Sequence, residues 1–525
     1  MVDNGPGRRI HRLSDRQVVE SDVDQQSHNV REIRIGCITP IYISEAKSII
    51  ITSLAPPSLW LNFTVMATDD DCITATTSDE APTTTTTTTN QTDNEPLQLG
   101  AFAAKVTAEE AMSRTARYAK DPKAYLEETL GQATLSRRKV RLSIPTTVDK
   151  DTYGTGTHKK GFEDHLAKLL GKAHGLFFIT GVQAQLAALK IYCDRAGRNL
   201  VAWHVTSHLE TAEEKSYEAL YGLRRVLLGS DPKALPTVSE IKEVLDLPST
   251  ERPVAIVLEI PNRVLGCKTY TFAELETISK ACKDAEVAFH CDGARLWEIE
   301  PYYEATSGKS FADLGKLFDS VYVSFYKGLR GVTGSALVHD DETFINEAKV
   351  WQRRAGGNAY TLMYEIIDCE RGYNENIGVF PGRWDKMKEV VEGITLATAK
   401  YKDESGRPLL SFMPSKPLCC QVHTLFHGYT AEELIAARDR VQETSNVRLF
   451  ERLWGVKTVD ERMKDERASA GSASDGKKNG TSSEVQKLEW MISDATEGID
   501  TNVFVNGYVA LCEELLSARQ VTATS

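Results

Sequence analysis

Six short apolar runs, interleaved with segments of helical periodicity, constrain this chain more than any other feature. They are Leu176–Ile179, Val201–His204, Arg225–Leu228, Val254–Ile260, Val287–Phe289 and Val321–Val323. Val254–Ile260 is almost wholly apolar, as a strand buried on both faces requires. Phe162, Leu166, Leu169 and Leu170 fall at i, i+4, i+7 and i+8 ahead of Gly171, which predicts an amphipathic helix with a glycine stop. Ala184–Tyr192 also reads as a helix, and Phe272, Leu275, Ile278 and Cys282 form one apolar helix face. Strands alternating with helices build βαβ units, hence an α/β fold with a mainly parallel sheet.

After Lys327 the pattern turns helical, at Phe344–Arg354 and around Trp384–Lys400. Gln421–Phe426 alternates like a half-buried strand, residues 431–441 read as a helix, and Val503–Leu515 as a strand or helix end. The expected organisation is a large domain over 101–400, with 101–150 as a helical lead-in, and a smaller α+β domain over 401–525. A Ser/Gly/Lys-rich tract at 463–485 is expected to be a disordered loop in the latter.

Residues 1–100 differ in character. Residues 1–35 are charged and irregular, and 67–99 are Thr/Asp-rich, with the Thr83–Thr89 run among them. Such segments bury too little apolar surface to offset their ordering entropy, so 1–100 is expected to be a disordered extension, which a start at Met66 would largely remove. Between them, Ile49–Val65 is apolar but broken by Pro56-Pro57 and Asn62, short of the roughly 20 apolar residues of a span. The opening residues carry scattered acids and no compact apolar core, unlike a signal or transit peptide. No membrane partner is expected.

Two of the apolar runs end in chemically useful residues. Val287–Phe289 leads into His290-Cys291-Asp292-Gly293-Ala294-Arg295, and Val321–Val323 into Ser324-Phe325-Tyr326-Lys327-Gly328. Ligands in open α/β sheets bind beyond the carboxyl ends of the strands. An acid on one strand end and a lysine on another suit pyridoxal 5′-phosphate. The lysine amine condenses with the cofactor aldehyde, and the acid keeps the pyridine nitrogen protonated so that the ring accepts electrons. Gly181 and Val182 open a helix after Thr180, where backbone N–H groups and the helix dipole favour a phosphate; the Gln183 side chain follows and could add a hydrogen bond. A net charge of −12 without a basic cluster argues against nucleic acid as a partner. Ten cysteines show no C-x-x-C spacing, and the vicinal Cys419-Cys420 pair is no zinc signature. No metal is expected, and a reducing, cytoplasmic setting is.

Taken in order, the motifs resemble the threonine aldolase/aromatic amino acid beta-eliminating lyase family of fold-type-I enzymes. The resemblance covers roughly residues 145–395. It runs through Asp151-Thr152-Tyr153-Gly154, Phe162-Glu163, Gly171-Lys172 and Phe178-Ile179-Thr180-Gly181. Ser207-His208 with Glu213, Leu258-Glu259, the Asp292 segment and Lys327-Gly328-Leu329 with Gly334-Ser335 follow, then Trp351-Gln352-Arg353-Arg354 and Gly356-Gly357. It implies a three-layer large domain, pyridoxal phosphate as cofactor, and a homodimer or homotetramer with sites at subunit boundaries. Lys327 would be the cofactor-binding lysine, its pKa lowered by desolvation, and Asp292 the partner of the pyridine nitrogen. His208 would stack on the ring, with His204 as a competing choice and Glu213 or Glu214 as its acid. Arg295 would take the substrate carboxylate, and Arg353 stands where the family has a basic residue near the site.

The pattern departs where the substrate would sit. Asn262, in Leu258-Glu259-Ile260-Pro261-Asn262-Arg263, replaces a family histidine facing the substrate side chain. No Arg-Ser-Asp-Thr stretch precedes Tyr153, and Lys487-Leu488-Glu489-Trp490 stands in the plausible place of a carboxylate-binding arginine. The resemblance implies a lyase that cleaves a small β-hydroxy amino acid, L-threonine or L-allo-threonine, to glycine and acetaldehyde, with His208 or a water it orients as the base. Elimination of a β-substituent with release of ammonia and a keto acid is the enzymatic alternative. A weakly catalytic protein that acts by binding or assembly is the third.

Overall fold

The computed structural model describes residues 95–136, 151–455 and 485–524, all within one compact unit, Gln91–Ser525. The segments expected to be disordered at 1–94 and 463–484, and lead-in residues 137–150, lie outside the described residues.

Seven strands form the main sheet: β1 (His174–Phe178), β2 (Leu200–His204), β3 (Arg224–Leu228), β4 (Ala255–Glu259), β5 (Ala288–Gly293), β6 (Ser320–Ser324) and β7 (Ser335–His339). Their order across the sheet is β1-β7-β6-β5-β4-β2-β3. The pairings β6–β5, β5–β4, β4–β2 and β2–β3 are parallel, while β7 is antiparallel to both its neighbours. Six strands match the apolar runs, and β7 corrects the expectation that the chain beyond Lys327 is simply helical. Five residues after the turn at Gly334 are too few for periodicity to separate a strand from a buried helix.

Alternation explains why the sheet is buried on both faces. Leu176 and Phe178 pack with Tyr322, Leu337 and the helix Gly181–Ala196, whereas Phe177 packs on the other face with Phe162 and Leu166 of the helix Thr157–Leu169. The helix Phe272–Asp284 adds Leu275 and Ile278 to that second face. Two helices not anticipated, Leu296–Ser307 and Met363–Asn376, complete the layer through Trp297 and Ile366.

A second, antiparallel sheet contains β8 (Leu410–Met413), β9 (Gln421–Phe426), β10 (Trp454–Gly455) and β11 (Gln486–Met491), in the order β10-β11-β9-β8. The helices Phe380–Thr398, Ala431–Ser445 and Thr501–Thr524 back it, so the ambiguous Val503–Leu515 segment is helical. Leu97–Gln98 pairs in parallel with Val447–Arg448 and Leu99 is buried, so residues 97–99 are structured although they fall in the segment expected to be unstructured. Among the described residues no helix is long and apolar enough to cross a membrane.

Candidate active site

The carboxyl ends of β4, β5 and β6 lie side by side, and their register aligns Glu259, Asp292 and Tyr322. Asp292 is buried. Its Oδ1 accepts the Ala294 N–H at 3.1 Å, while Oδ2 is buried with no hydrogen-bond partner among the described residues. Buried carboxylate oxygens are seldom left so, and one here is poised to receive a donor. Beside it, Glu259 Oε1 accepts the Arg263 N–H at 3.0 Å and Oε2 has no hydrogen-bond partner among the described residues. Burial first, and then the Asp292 charge, push the Glu259 carboxyl up to about 7.

Lys327 follows the end of β6. Burial and then the Arg295 charge bring its amine down to about 8, against the opposing pull of Asp292, Glu259 and Glu298. The turn after it is fixed from below: Glu298 Oε1 accepts the Gly328 N–H at 3.1 Å. A Cβ at Gly328 would lie 2.6 Å from that oxygen, so glycine lets the turn close over the carboxyl. Burial raises the Glu298 pKa as well.

The end of β2 leads to His208. Its Nδ1 lies 2.6 Å from Glu213 Oε1, which decides between the two acids; Glu214 has a left-handed backbone at φ +49. His204 is on β2 itself, with Nδ1 2.7 Å from Thr206 Oγ1 and its pKa lowered by burial. It is a structural histidine. Burial chiefly raises the Tyr326 phenol, and the charges of Asp292, Arg295 and Glu213 also act on it.

The end of β1 leads to Thr180, whose hydroxyl caps the Gln183 N–H at 3.3 Å and opens the helix Gly181–Ala196. A Cβ at Gly181 would overlap the Tyr322 hydroxyl and ring, so the helix starts where only glycine fits. The N–H groups of Gly181 and Val182 are among those a helix start leaves without an intrahelical acceptor. Gln183 corrects an expectation. Its Nε2 points at the Gln352 and Ala355 carbonyls (3.5 and 3.4 Å), and its remaining Oε1 is an acceptor, which a phosphate oxygen does not bind.

The residues expected on the substrate side divide. Arg295 turns towards the cluster: its Nε donates to Gln421 Oε1 at 2.9 Å, and its charge acts on Lys327. Asn262 does not offer a free amide. Its Nδ2 donates to Thr206 Oγ1 at 2.9 Å and its Oδ1 accepts the Leu265 N–H at 3.1 Å, so it holds the turn after β4. Arg353 is exposed and lies over the Tyr153 ring at 5.5 Å. Lys487 is buried and donates to the Val264 carbonyl at 3.1 Å, an anchoring contact in place of the expected point charge. Glu259, Glu298, Tyr322, Gln421 and Glu489 were given no role in the sequence reading. Only Glu259 carried a signal that could have found it, as an acid ending an apolar run next to that of Asp292.

These residues fit pyridoxal phosphate. A depressed lysine, a buried carboxylate oxygen without a donor and a glycine-opened helix start converge on one edge of the sheet. The set matches the aldehyde, the protonated ring nitrogen and the phosphate of that cofactor.

Comparison with known proteins agrees. The beta-eliminating lyase family model matches residues 136–366. A low-specificity L-threonine aldolase of Eremothecium gossypii is 25% identical over 281 residues, 53% of this chain and 70% of that protein. A low-specificity L-threonine aldolase of Arabidopsis thaliana is 25% identical over 251 residues, 47% of this chain and 68% of its own. The crystal structure of an L-allo-threonine aldolase candidate from Listeria monocytogenes superposes with a TM-score of 0.62 at 27% identity, covering 80% of this chain and 96% of that one. Motif order, fold and relatives point the same way: the chain is similar to members of the threonine aldolase/beta-eliminating lyase family.

Proposed function

We propose that this protein is a pyridoxal phosphate-dependent aldehyde lyase that cleaves a small β-hydroxy amino acid, L-threonine or L-allo-threonine, to glycine and acetaldehyde. One observation carries the reading: the unpartnered, buried Asp292 Oδ2 lies at the strand end beside that of Lys327, whose amine is held near 8. Lys327 would hold pyridoxal phosphate through its aldehyde until the substrate amine displaces it, and the group would supply an electron-accepting ring for the pair released when the Cα–Cβ bond breaks. Asp292 accepts the N–H of the protonated ring and keeps the proton there. Gly181 and Val182 hold the phosphate with backbone N–H groups. Arg295 binds and orients the substrate carboxylate. His208, fixed through Nδ1 by Glu213, keeps Nε2 for the β-hydroxyl proton. Lys327, with its lowered pKa, returns a proton to Cα. The parallel-sheet fold, the resemblance of the motifs and the relatives named for threonine cleavage support the substrate class. Eight described cysteines, all free and buried, support a reducing, cytoplasmic setting, and the family supports a homo-oligomer.

The test is chemical. Protein incubated with pyridoxal phosphate is expected to be yellow, to bleach with borohydride and to carry the reduced label on Lys327. Threonine is expected to yield glycine and acetaldehyde. Ammonia with a keto acid would instead identify β-elimination, and colourless protein that cannot be reconstituted with Lys327 intact would overturn both.

A further inference from the structure

The small sheet presents a carboxylate to the substrate side of the site. Glu489, on β11, is buried, with 3% of its side chain exposed. Its Oε1 accepts from Arg263 Nε at 2.8 Å and from Gln421 Nε2, and its Oε2 accepts from the other arm of Arg263 at 2.6 Å. The opposite face of Arg263 is covered by the Trp454 ring, 4.2 Å from the guanidinium carbon. Arg295 approaches the same Glu489 carboxylate only to 3.8 Å, while its Nε is bonded to Gln421. Of the two guanidinium groups around Glu489, Arg263 is therefore closed by a two-point contact from within the protein, and Arg295 is not.

We propose that Glu489 is a specificity-determining residue that closes the Arg263 fork and so limits the site to amino acids with a single carboxylate. This rests on the reading of Arg295 as the binder of that carboxylate. A second acid on the substrate side chain meets a guanidinium already paired and a fixed negative charge behind it. Discrimination by a repulsive element of this kind excludes dicarboxylic β-hydroxy amino acids without altering the contacts made to threonine. Glu489→Gln keeps the shape and the contact to Gln421, removes the charge and frees a fork suited to a carboxylate.

The experiment compares holoenzyme binding of L-aspartate and L-alanine by calorimetry, in wild type and in Glu489→Gln, with cleavage of threonine and 3-hydroxyaspartate measured on the same preparations. The aspartate-to-alanine affinity ratio is expected to rise by about tenfold or more in the variant, as a newly available charged hydrogen-bonding site gives. The additional change Arg263→Met is expected to abolish that gain. Wild type is expected to prefer threonine to 3-hydroxyaspartate by about 100-fold, a comparison that needs no variant. Equal use of the two substrates by wild type, or an unchanged affinity ratio in Glu489→Gln, would overturn the proposal. Wild type that cleaves neither substrate, while the affinity ratio still rises in the variant, sinks the aldol reading and leaves the role of Glu489 standing.

Discussion

Glu259 and Asp292 are two acids in register on neighbouring strands, and burial beside that neighbour makes the Glu259 carboxylate costly to ionise. Burial and the Asp292 charge raise Glu259 to about 7 from an ordinary value of 4.5. The folded state thus binds more protons than the unfolded one between pH 4.5 and 7, so this group's contribution to stability falls as pH rises through that window. Glu259→Gln, which cannot ionise, is expected to gain stability relative to wild type between pH 5 and pH 7.5, by on the order of 1–3 kcal/mol in the apoprotein. Thermal melts of both proteins at the two pH values check the sign; a difference that does not grow with pH contradicts it. The His208–Glu213 contact makes a second residue-level claim. Glu213→Gln keeps the shape but loses the charge that orients the ring, and kcat is expected to drop by about 10- to 100-fold. Glu214→Gln should leave kcat as it is. The positions of Asp292, Lys327 and His208 at or just after strands were legible in the sequence because each follows an apolar run. Gln183 Nε2 and Lys487 turn to backbone carbonyls distant in sequence and Asn262 Nδ2 to Thr206, and spacing carries no record of such contacts.

At the level of elements, the start of the helix Gly181–Ala196 depends on its fit against β6. Tyr322 is buried in the sheet, and its hydroxyl fills the space a side chain at 181 would need. Gly181→Ala must displace a ring locked in the core and is expected to cost about 1–3 kcal/mol and to weaken cofactor affinity. Gly357→Ala also meets a neighbour, the Gln183 carboxamide, but that is the end of an unbranched side chain and not a ring of the core. Its cost is expected to stay below about 1 kcal/mol. Denaturant midpoints of the two variants order them, and equal losses would place the constraint elsewhere. Strands that are long apolar runs, such as β4, were readable because nothing else in the chain combines their length with their composition. β7 was not, since Ser335–His339 carries no alternation and lies among helical patterns. The same holds for Leu97–Gln98, which pairs with residues some 350 positions away and has no local signal at all.

Over the whole molecule, charged side chains tie the small sheet to the large one: Arg263 reaches from the end of β4 to Glu489, and Arg295 from the end of β5 to Gln421. The edge near Lys327 is left with apolar side chains in solvent. Val332 is 69% exposed, Tyr364 67% and Met112 73%, and the three line one groove with Leu130 and Ile367. Tyr326, next to Lys327, is exposed on the loop that also carries Val332. We propose that this surface is where a second copy of the chain docks; a self-complementary patch would count twice in a symmetric dimer. Burying one such side chain is worth roughly 2 kcal/mol, so Val332 and Tyr364 of two copies would supply several kcal/mol of association. Light scattering at micromolar concentration is expected to give at least twice the 58.2 kDa chain mass. The double change Val332→Asp, Tyr364→Glu is expected to bring it to the mass of one chain, because burying the new charges in a contact between copies would cost more than the apolar burial returns. The fold of each copy is expected to survive, since both side chains are already in water. A wild-type protein that is monomeric under those conditions would assign this patch to a different partner, and would require Lys327 to work at an edge covered by one chain alone.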